Sequence, residues 1–188
     1  MASIVVAIVN LWKERPGDPQ LIAHARAEAE HLARTHGATG VVLALTEKGR
    51  GSKSVRVRTI GLKAGPQRWR KVTPFGAHNH IAIRDLHHPR IRFATAHGLH
   101  KGSVGMARQL AYYALLTVRV RRWGSRRIPW AVAGDFNRPH QWVARLLGGT
   151  SVGKGIDGLV AGPGLEARLL HVAHHPATDH PILYALIR

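Results

Sequence analysis

The sequence predicts a layered α/β or α+β domain. Short runs rich in Val, Ile and Ala alternate with segments of helical period, and the strands return over long distances in the chain. The 188 residues are 45% hydrophobic, enough for one sizeable core and one domain spanning 1–188. No internal repeat, low-complexity tract or linker interrupts the pattern.

Ser3 to Val9 is expected to be a buried strand, because it is almost wholly Ile, Val and Ala. "PGDPQ" is a turn in which Asp18 caps a helix and Pro19 occupies its first turn. Leu21, Ile22, Ala25, Ala29, Leu32 and Ala33 fall on one face of that helix, which ends at Gly37. "GVVLAL", 40–45, is a second buried strand, and "SVRVRTIGL" alternates apolar and basic residues like a half-exposed one. "HIAIR" and "RIRFATA" are strands joined by the turn "DLHHP". A helix runs from Ser103 to about Trp123 with Ala107, Leu110, Ala111, Ala114, Leu115 and Val118 as its apolar stripe. Its basic end, "RVRRWGSRR", suits either a solvated helix terminus or a phosphate-contacting patch. "IPWAVA" is a strand, "PHQWVARLL" a short helix, and "GIDGLVA", "ARLLHVA" and "PILYALI" are the closing strands.

Composition narrows the function. Lys and Arg number 28 against 10 Asp and Glu, a net charge of +18. That excess suits a polyanionic partner, nucleic acid or an anionic surface. The chain has no cysteine, so disulfides, thiolate metal sites and cysteine nucleophiles are excluded. No apolar run has the length of a membrane span, and the start lacks a basic leader, so a soluble intracellular protein is expected.

The few acids are unevenly placed. Glu47, Asp135, Asp157 and Asp179 each lie at or near the end of a short apolar run. Strand ends are where layered folds assemble sites. In "WAVAGDFNRPHQW", Asp135 and Asn137 are two residues apart, so on an extended chain their side chains lean to one side. Carboxylate and amide oxygens suit a hard cation such as Mg²⁺, and a His beside a carboxylate can handle a proton. Together these describe metal-assisted hydrolysis of a phosphate ester.

"AGDFNRPH", followed some forty residues later by "TDHPILYAL", resembles the endonuclease/exonuclease/phosphatase (DNase I-like) superfamily. Asn10 at the end of the first strand, Glu47 after "VVLALT", His97 in "FATAH" and Asp157 in "GID" follow the family's order. "IAIRDLHHPRIRFATAHGL" and "AGDFNRP" are most similar to the catalytic subunit of cytolethal distending toxin. The resemblance implies a four-layer α/β/β/α sandwich of two packed, mainly antiparallel sheets flanked by helices. It also implies a Mg²⁺-dependent phosphodiesterase, with Mn²⁺ or Ca²⁺ as alternatives, and DNA as the nucleic-acid partner. Glu47 would ligate the metal with Asn10, and Asp179 would stand near it. Asp135 and Asn137 would orient the nucleophilic water and a phosphate oxygen. His180, oriented by Asp157, would be general base or phosphate-contacting imidazole, and His97 an acid or transition-state donor. Arg84 and Arg138 would hold flanking phosphates. A phosphoinositide or other phosphomonoester phosphatase on the same site is the alternative, and a non-catalytic nucleic-acid-binding protein the second.

The sequence departs from the family pattern at Thr46, where Gln is usual, and at Thr178, where Thr keeps the hydroxyl of Ser. Gly158 stands where an aromatic residue is common, which predicts looser support for Asp157. Other signals carry less. "HNH" at 78–80 lacks the spacing of the nuclease class it spells, and "HGLH" at 97–100 offers His100 as an alternative to His97. "GGTSVGKG" reads as a loop, with Lys154 a candidate phosphate contact. The five Trp are assigned to core packing, with base stacking the lesser option.

Overall fold

The computed structural model describes residues 2–11, 18–47, 55–74 and 80–188, without the side chains of Glu47, Lys101 and Ser103. "HNH" therefore falls mostly outside the described residues, as does Trp12. The strands are β1 (Ile4–Leu11), β2 (Gly40–Glu47), β3 (Val55–Ile60), β4 (Arg68–Lys71), β5 (His80–Leu86), β6 (Ile91–His97), β7 (Trp130–Asp135), β8 (Thr150–Lys154), β9 (Asp157–Ala161), β10 (Ala167–Ala173) and β11 (Ile182–Ile187). The helices are α1 (Pro19–Thr35), α2 (Lys101–Val104), α3 (Met106–Ser125) and α4 (His140–Leu147).

One sheet has the order β10-β11-β1-β2-β3 and the other β4-β5-β6-β7-β9-β8. Most pairings are antiparallel, and each sheet holds one parallel pair, β1 with β2 and β6 with β7. A parallel pair needs a crossover, which α1 supplies in the first case and α3 in the second. Three apolar layers fill the spaces between. Leu21, Ala25 and Ala29 of α1 pack on Val5, Leu43 and Tyr184 of the first sheet. Ile8, Val57, Phe93, Ala133 and Leu183 fill the gap between the sheets. Tyr113, Leu116, Trp123 and Val143 of α3 and α4 cover the second sheet. The result is the expected four-layer sandwich.

Helix α1 begins where the sequence places it. Asp18 accepts hydrogen bonds from the Gln20 and Leu21 amides at 2.8 and 3.3 Å, satisfying free first-turn donors.

Helix α3 is turned from the expected orientation. Its buried residues are Gln109, Tyr112, Tyr113, Leu116, Val120 and Trp123. In the stripe read from the sequence, Leu110, Leu115 and Val118 face solvent. Both sets have helical period, but the buried one carries two Tyr and a Trp, whose rings bury far more area than Ala and Leu methyls. The segment "GGTSVGKG" is also not wholly a loop: Thr150–Lys154 pairs antiparallel with β9. The short β4, of composition Arg-Trp-Arg-Lys, gives no apolar alternation and was not expected.

No helix among the described residues is long and apolar enough to cross a membrane.

Candidate active site

The second sheet brings chemistry to one rung. Lys71 is opposite His80, His97 opposite Asp135, Asp135 opposite Asp157, and Asp157 opposite Lys154. His80 and His97 flank the paired Ile81 and Ala96. Residues directly opposite share a face of the sheet. This row lies at the rim of the sandwich, on the side toward the first sheet.

The first sheet meets it there. Asn10, near the end of β1 and opposite Thr46, donates through Nδ2 to Asp135 Oδ2 at 2.9 Å. Thr178, just before β11, donates its hydroxyl to the Asn10 carbonyl at 2.8 Å and accepts from the His180 amide at 3.1 Å. The hydroxyl kept at this position therefore fixes the first sheet to the segment carrying His180. His180 Nδ1 lies 2.7 Å from Asp157 Oδ2. Thus β1, β7, β9 and the loop before β11 each supply one member of a single hydrogen-bonded cluster. The site is a property of the two sheets packed together.

Asp135, Asp157 and His180 offer ligand atoms all within 4.8 Å of one another. Both carboxylates are buried. Burial pushes the Asp135 carboxyl up, and hydrogen bonds from Asn137 and Asn10 work against that. Burial also pushes Asp157 up, opposed by His180 and aided by the charge of Asp135. His180 is raised to about 9, first by its hydrogen bond to Asp157 and further by the three nearby Asp charges, against desolvation. It is therefore an imidazolium at neutral pH. His97 Nε2 lies 3.7 Å from Asp135 Oδ2. The charge of His100 also acts on Asp135, but its side chain is exposed.

The remaining sequence candidates fall at varied distances from this cluster. Asp179 is exposed, with Oδ1 3.8 Å from His180 Nε2. Glu47 ends β2 opposite Leu11, one residue past Asn10; its side chain lies outside the described part of the structure. Asn137 does not continue an extended chain. It sits in the left-handed region at φ 51°, its amide donates to Asp135 Oδ1 at 2.8 Å, and its Nδ2 donates to the Gly98 carbonyl at 2.8 Å. The turn follows from local chemistry: Asn tolerates this backbone, and Asp135 captures the amide two residues on. Arg138 is held by Gln109 Oε1 at 2.8 Å and lies over the Trp142 ring. Arg84 is not brought to the cluster. It pairs with Phe93, four residues before His97, and donates to Thr59 Oγ1 at 2.9 Å. Lys154 approaches His174 at 3.4 Å.

Gly158 has a packing role beside Asp157. A Cβ at Gly158 would lie 2.6 Å from the His140 Cβ, so glycine lets α4 press against β9 at this point. His140 itself is anchored 3.0 Å from the Ser151 hydroxyl. Gly98 plays a similar part beside Asp135. A Cβ there would collide with the Phe136 carbonyl.

Two supports were missed by the sequence reading. Buried Gln109 donates to the Leu99 carbonyl at 2.6 Å, and the Tyr113 hydroxyl donates to the Phe136 carbonyl. Both brace the turn after Asp135 from α3. A polar residue at a buried helical position is the signal for Gln109, but it becomes visible only once the correct face of α3 is known.

The donor set suits a divalent cation. Buried Asp157 Oδ1 has no hydrogen-bond partner among the described residues. An orphan carboxylate oxygen beside a second buried carboxylate is a costly arrangement that a bound cation relieves. The oxygen-rich surroundings, with Asn10 adjacent, favour a hard ion.

No family model matches this sequence, and no curated protein matches it. Solved structures do. The catalytic domain of human Nocturnin, determined with a bound sulfate anion, superposes with a TM-score of 0.65 at 12% identity, covering 99% of this chain and 94% of that one. An endonuclease/exonuclease/phosphatase family protein from Bacteroides thetaiotaomicron gives 0.61 at 10% identity, covering 99% and 98%. The mannosyl-6-phosphatase Bt3783 of the same organism gives 0.57 at 10% identity, covering 98% of each chain. At such identities the likeness is one of fold, and it extends over almost the whole chain. This chain has the fold of the endonuclease/exonuclease/phosphatase superfamily.

Proposed function

We propose that this chain is a phosphoric ester hydrolase of that superfamily, acting on phosphodiester bonds of nucleic acid, DNA foremost, with a divalent cation such as Mg²⁺. The observation that carries the reading is the cluster of buried Asp135 and Asp157 with half-buried His180 in a chain of net charge +18. A protein so poor in acid concentrates two carboxylates at one rim, against their own repulsion. Such strain is common at functional sites.

Asp157, Asp135 and Asn10 would hold the cation, with Glu47 contributing from the adjoining strand. When bound, the cation supplies charge neutralisation at a phosphate oxygen. The residues do the rest. Asp157 fixes Nδ1–H of His180, so that Nε2 is the atom presented to a phosphate. As an imidazolium, His180 donates a hydrogen bond to a phosphate oxygen in the ground state; near a bound cation its proton is held less tightly. Asn10 and the Asn137 amide fix the two oxygens of Asp135, which can then orient a water. His97, beside Asp135, is placed to donate to the developing charge. Arg138, held in place by Gln109, offers a flanking phosphate contact.

Nicking of supercoiled plasmid in the presence of Mg²⁺ tests this. Asp135→Ala and His180→Ala are expected to lose at least about 10²-fold in rate. Unchanged nicking by either variant would remove the assignment. The fold likeness to a mannosyl-6-phosphatase favours one second reading, a phosphomonoesterase on the same residues. Phosphate release from a sugar phosphate or phosphoinositide without nucleic-acid cleavage would decide for it.

A further inference from the structure

Far along the same rung, the proposed chemistry leaves a surface unused. Strand β4 forms the edge of the second sheet, and all four of its residues, Arg68, Trp69, Arg70 and Lys71, are exposed. Lysine and arginine on an edge strand discourage edge-to-edge pairing, so charge there has an ordinary explanation. The tryptophan does not. Trp123 and Trp130 are buried, whereas Trp69 is 42% exposed.

Trp69 is also fixed. Its Nε1 donates to the Val55 carbonyl at 3.1 Å, across to the edge of the first sheet. Just before β4, Gln67 Oε1 accepts the Val57 amide at 2.7 Å. The two sheet edges are thereby tied, and the indole lies over the seam with part of its surface toward solvent. Its polar atom is engaged inward, which leaves apolar ring for whatever binds.

The surroundings are cationic. Lys71 follows on the same face of the strand and Arg58 is exposed on β3. Past the end of β4, an open groove of about 570 Å³ is lined by Arg26, Arg58, Thr59 and Arg84. Among the described side chains, Asp85 is paired with Arg68 and Arg92, and Glu30 with Arg26. The strip therefore keeps an excess of positive charge. It also leads to the site. Lys71 is on the rung of His80, three strand spacings from Asp135, or roughly 14 Å at about 4.8 Å each.

We propose that this edge binds single-stranded nucleic acid, with a base stacked on Trp69 and phosphates held by Lys71 and Arg58 on either side. An exposed ring on a cationic edge fits a base flanked by phosphates, with Arg58 reaching from the α1-side face of the neighbouring edge strand. An unpaired base is required, because a duplex hides its faces. A lipid surface fits less well: membrane-seated proteins present a broad apolar face, and here a single ring is exposed on a basic strand. The inference rests on reading the site as one for nucleic acid. Binding, however, is measured without turnover, so the two readings can fail separately.

The test is fluorescence anisotropy of the whole chain with a labelled mixed-sequence oligonucleotide, single-stranded or duplex, in EDTA over a series of salt concentrations. Trp69→Ala is expected to weaken single-strand binding by roughly 5- to 150-fold, and Trp69→Phe to retain most of it. Replacing Lys71 and Arg58 together by Gln is expected to flatten the salt dependence by about 1.4, at about 0.7 per phosphate contact. Anionic vesicles provide the competing arm. Equal affinity of Trp69→Ala and the parent overturns the proposal. So does a Trp69 effect seen only on vesicles, or duplex bound as tightly as single strand. Should Trp69→Ala fail to fold, an unchanged affinity and salt slope in the Lys71/Arg58 variant overturns it equally.

Discussion

Asp157 and His180 show how much one contact sets. Their 2.7 Å approach is the largest cause that raises the imidazole from 6.5 to about 9, and the charges of Asp135 and Asp179 add to it. A group whose folded pKa is raised contributes stability that is fully present below its unfolded value. This contribution is therefore complete below pH 6.5 and is lost as pH rises through about 9. Protonation of Asp157 closes the window on the acid side, and burial brings that closure to higher pH than for an ordinary carboxyl. An NMR titration of the metal-free protein checks it. The His180 ring should show its midpoint near 9 and fall back toward 6.5 in Asp157→Asn; a midpoint near 6.5 in the parent would contradict it. At this scale the sequence was informative. "GID" and "TDHP" contain both residues, and Thr178 keeps the hydroxyl of Ser, which bonds the Asn10 carbonyl and the His180 amide. What it concealed was the conformation at Asn137, because a left-handed turn at φ 51° depends on Asp135 capturing its amide, and no periodicity records that.

Among the elements, α3 was legible in extent but not in orientation. Its two apolar faces both satisfy helical period, and only the size of Tyr112, Tyr113 and Trp123 separates them. The difference gives a clean contrast between neighbours. Leu116→Ala removes a fully buried side chain and is expected to cost about 2–5 kcal/mol. Leu115→Ala, on the exposed face at 44%, is expected to stay within about 0.5 kcal/mol. Denaturant unfolding of both variants measures this, and a larger cost for Leu115→Ala would mean that the helix packs by the other face. The short β4 and β8 escaped notice for another reason. Each gains its order from pairing with a more deeply buried neighbour, β5 and β9, and neither carries an apolar stripe of its own. The long buried strands β1, β2, β7 and β11 were legible because they are apolar on both faces.

For the molecule as a whole, the site exists only where the sheets meet. Asn10 and Thr178 belong to one side, Asp135 and Asp157 to the other, and the packing of Ile8, Phe93 and Ala133 beneath holds them in register. Sequence order made the members visible; their joining across two sheets depends on contacts between residues up to 168 positions apart. The same separation of charge operates globally, with buried carboxylates at the rim and a net charge of +18 over the chain, which under the proposed function would steer a polyanion toward them. The most direct measurement is a parallel turnover assay of the intact chain on single-stranded DNA, supercoiled DNA, RNA and a phosphoinositide, each with Mg²⁺ and with EDTA. Cleavage of nucleic acid that requires the cation, and that Asp157→Asn cuts by about 10²-fold or more, is the expected result. Cleavage indifferent to both cation and Asp157, or no turnover of any of the four, would contradict it.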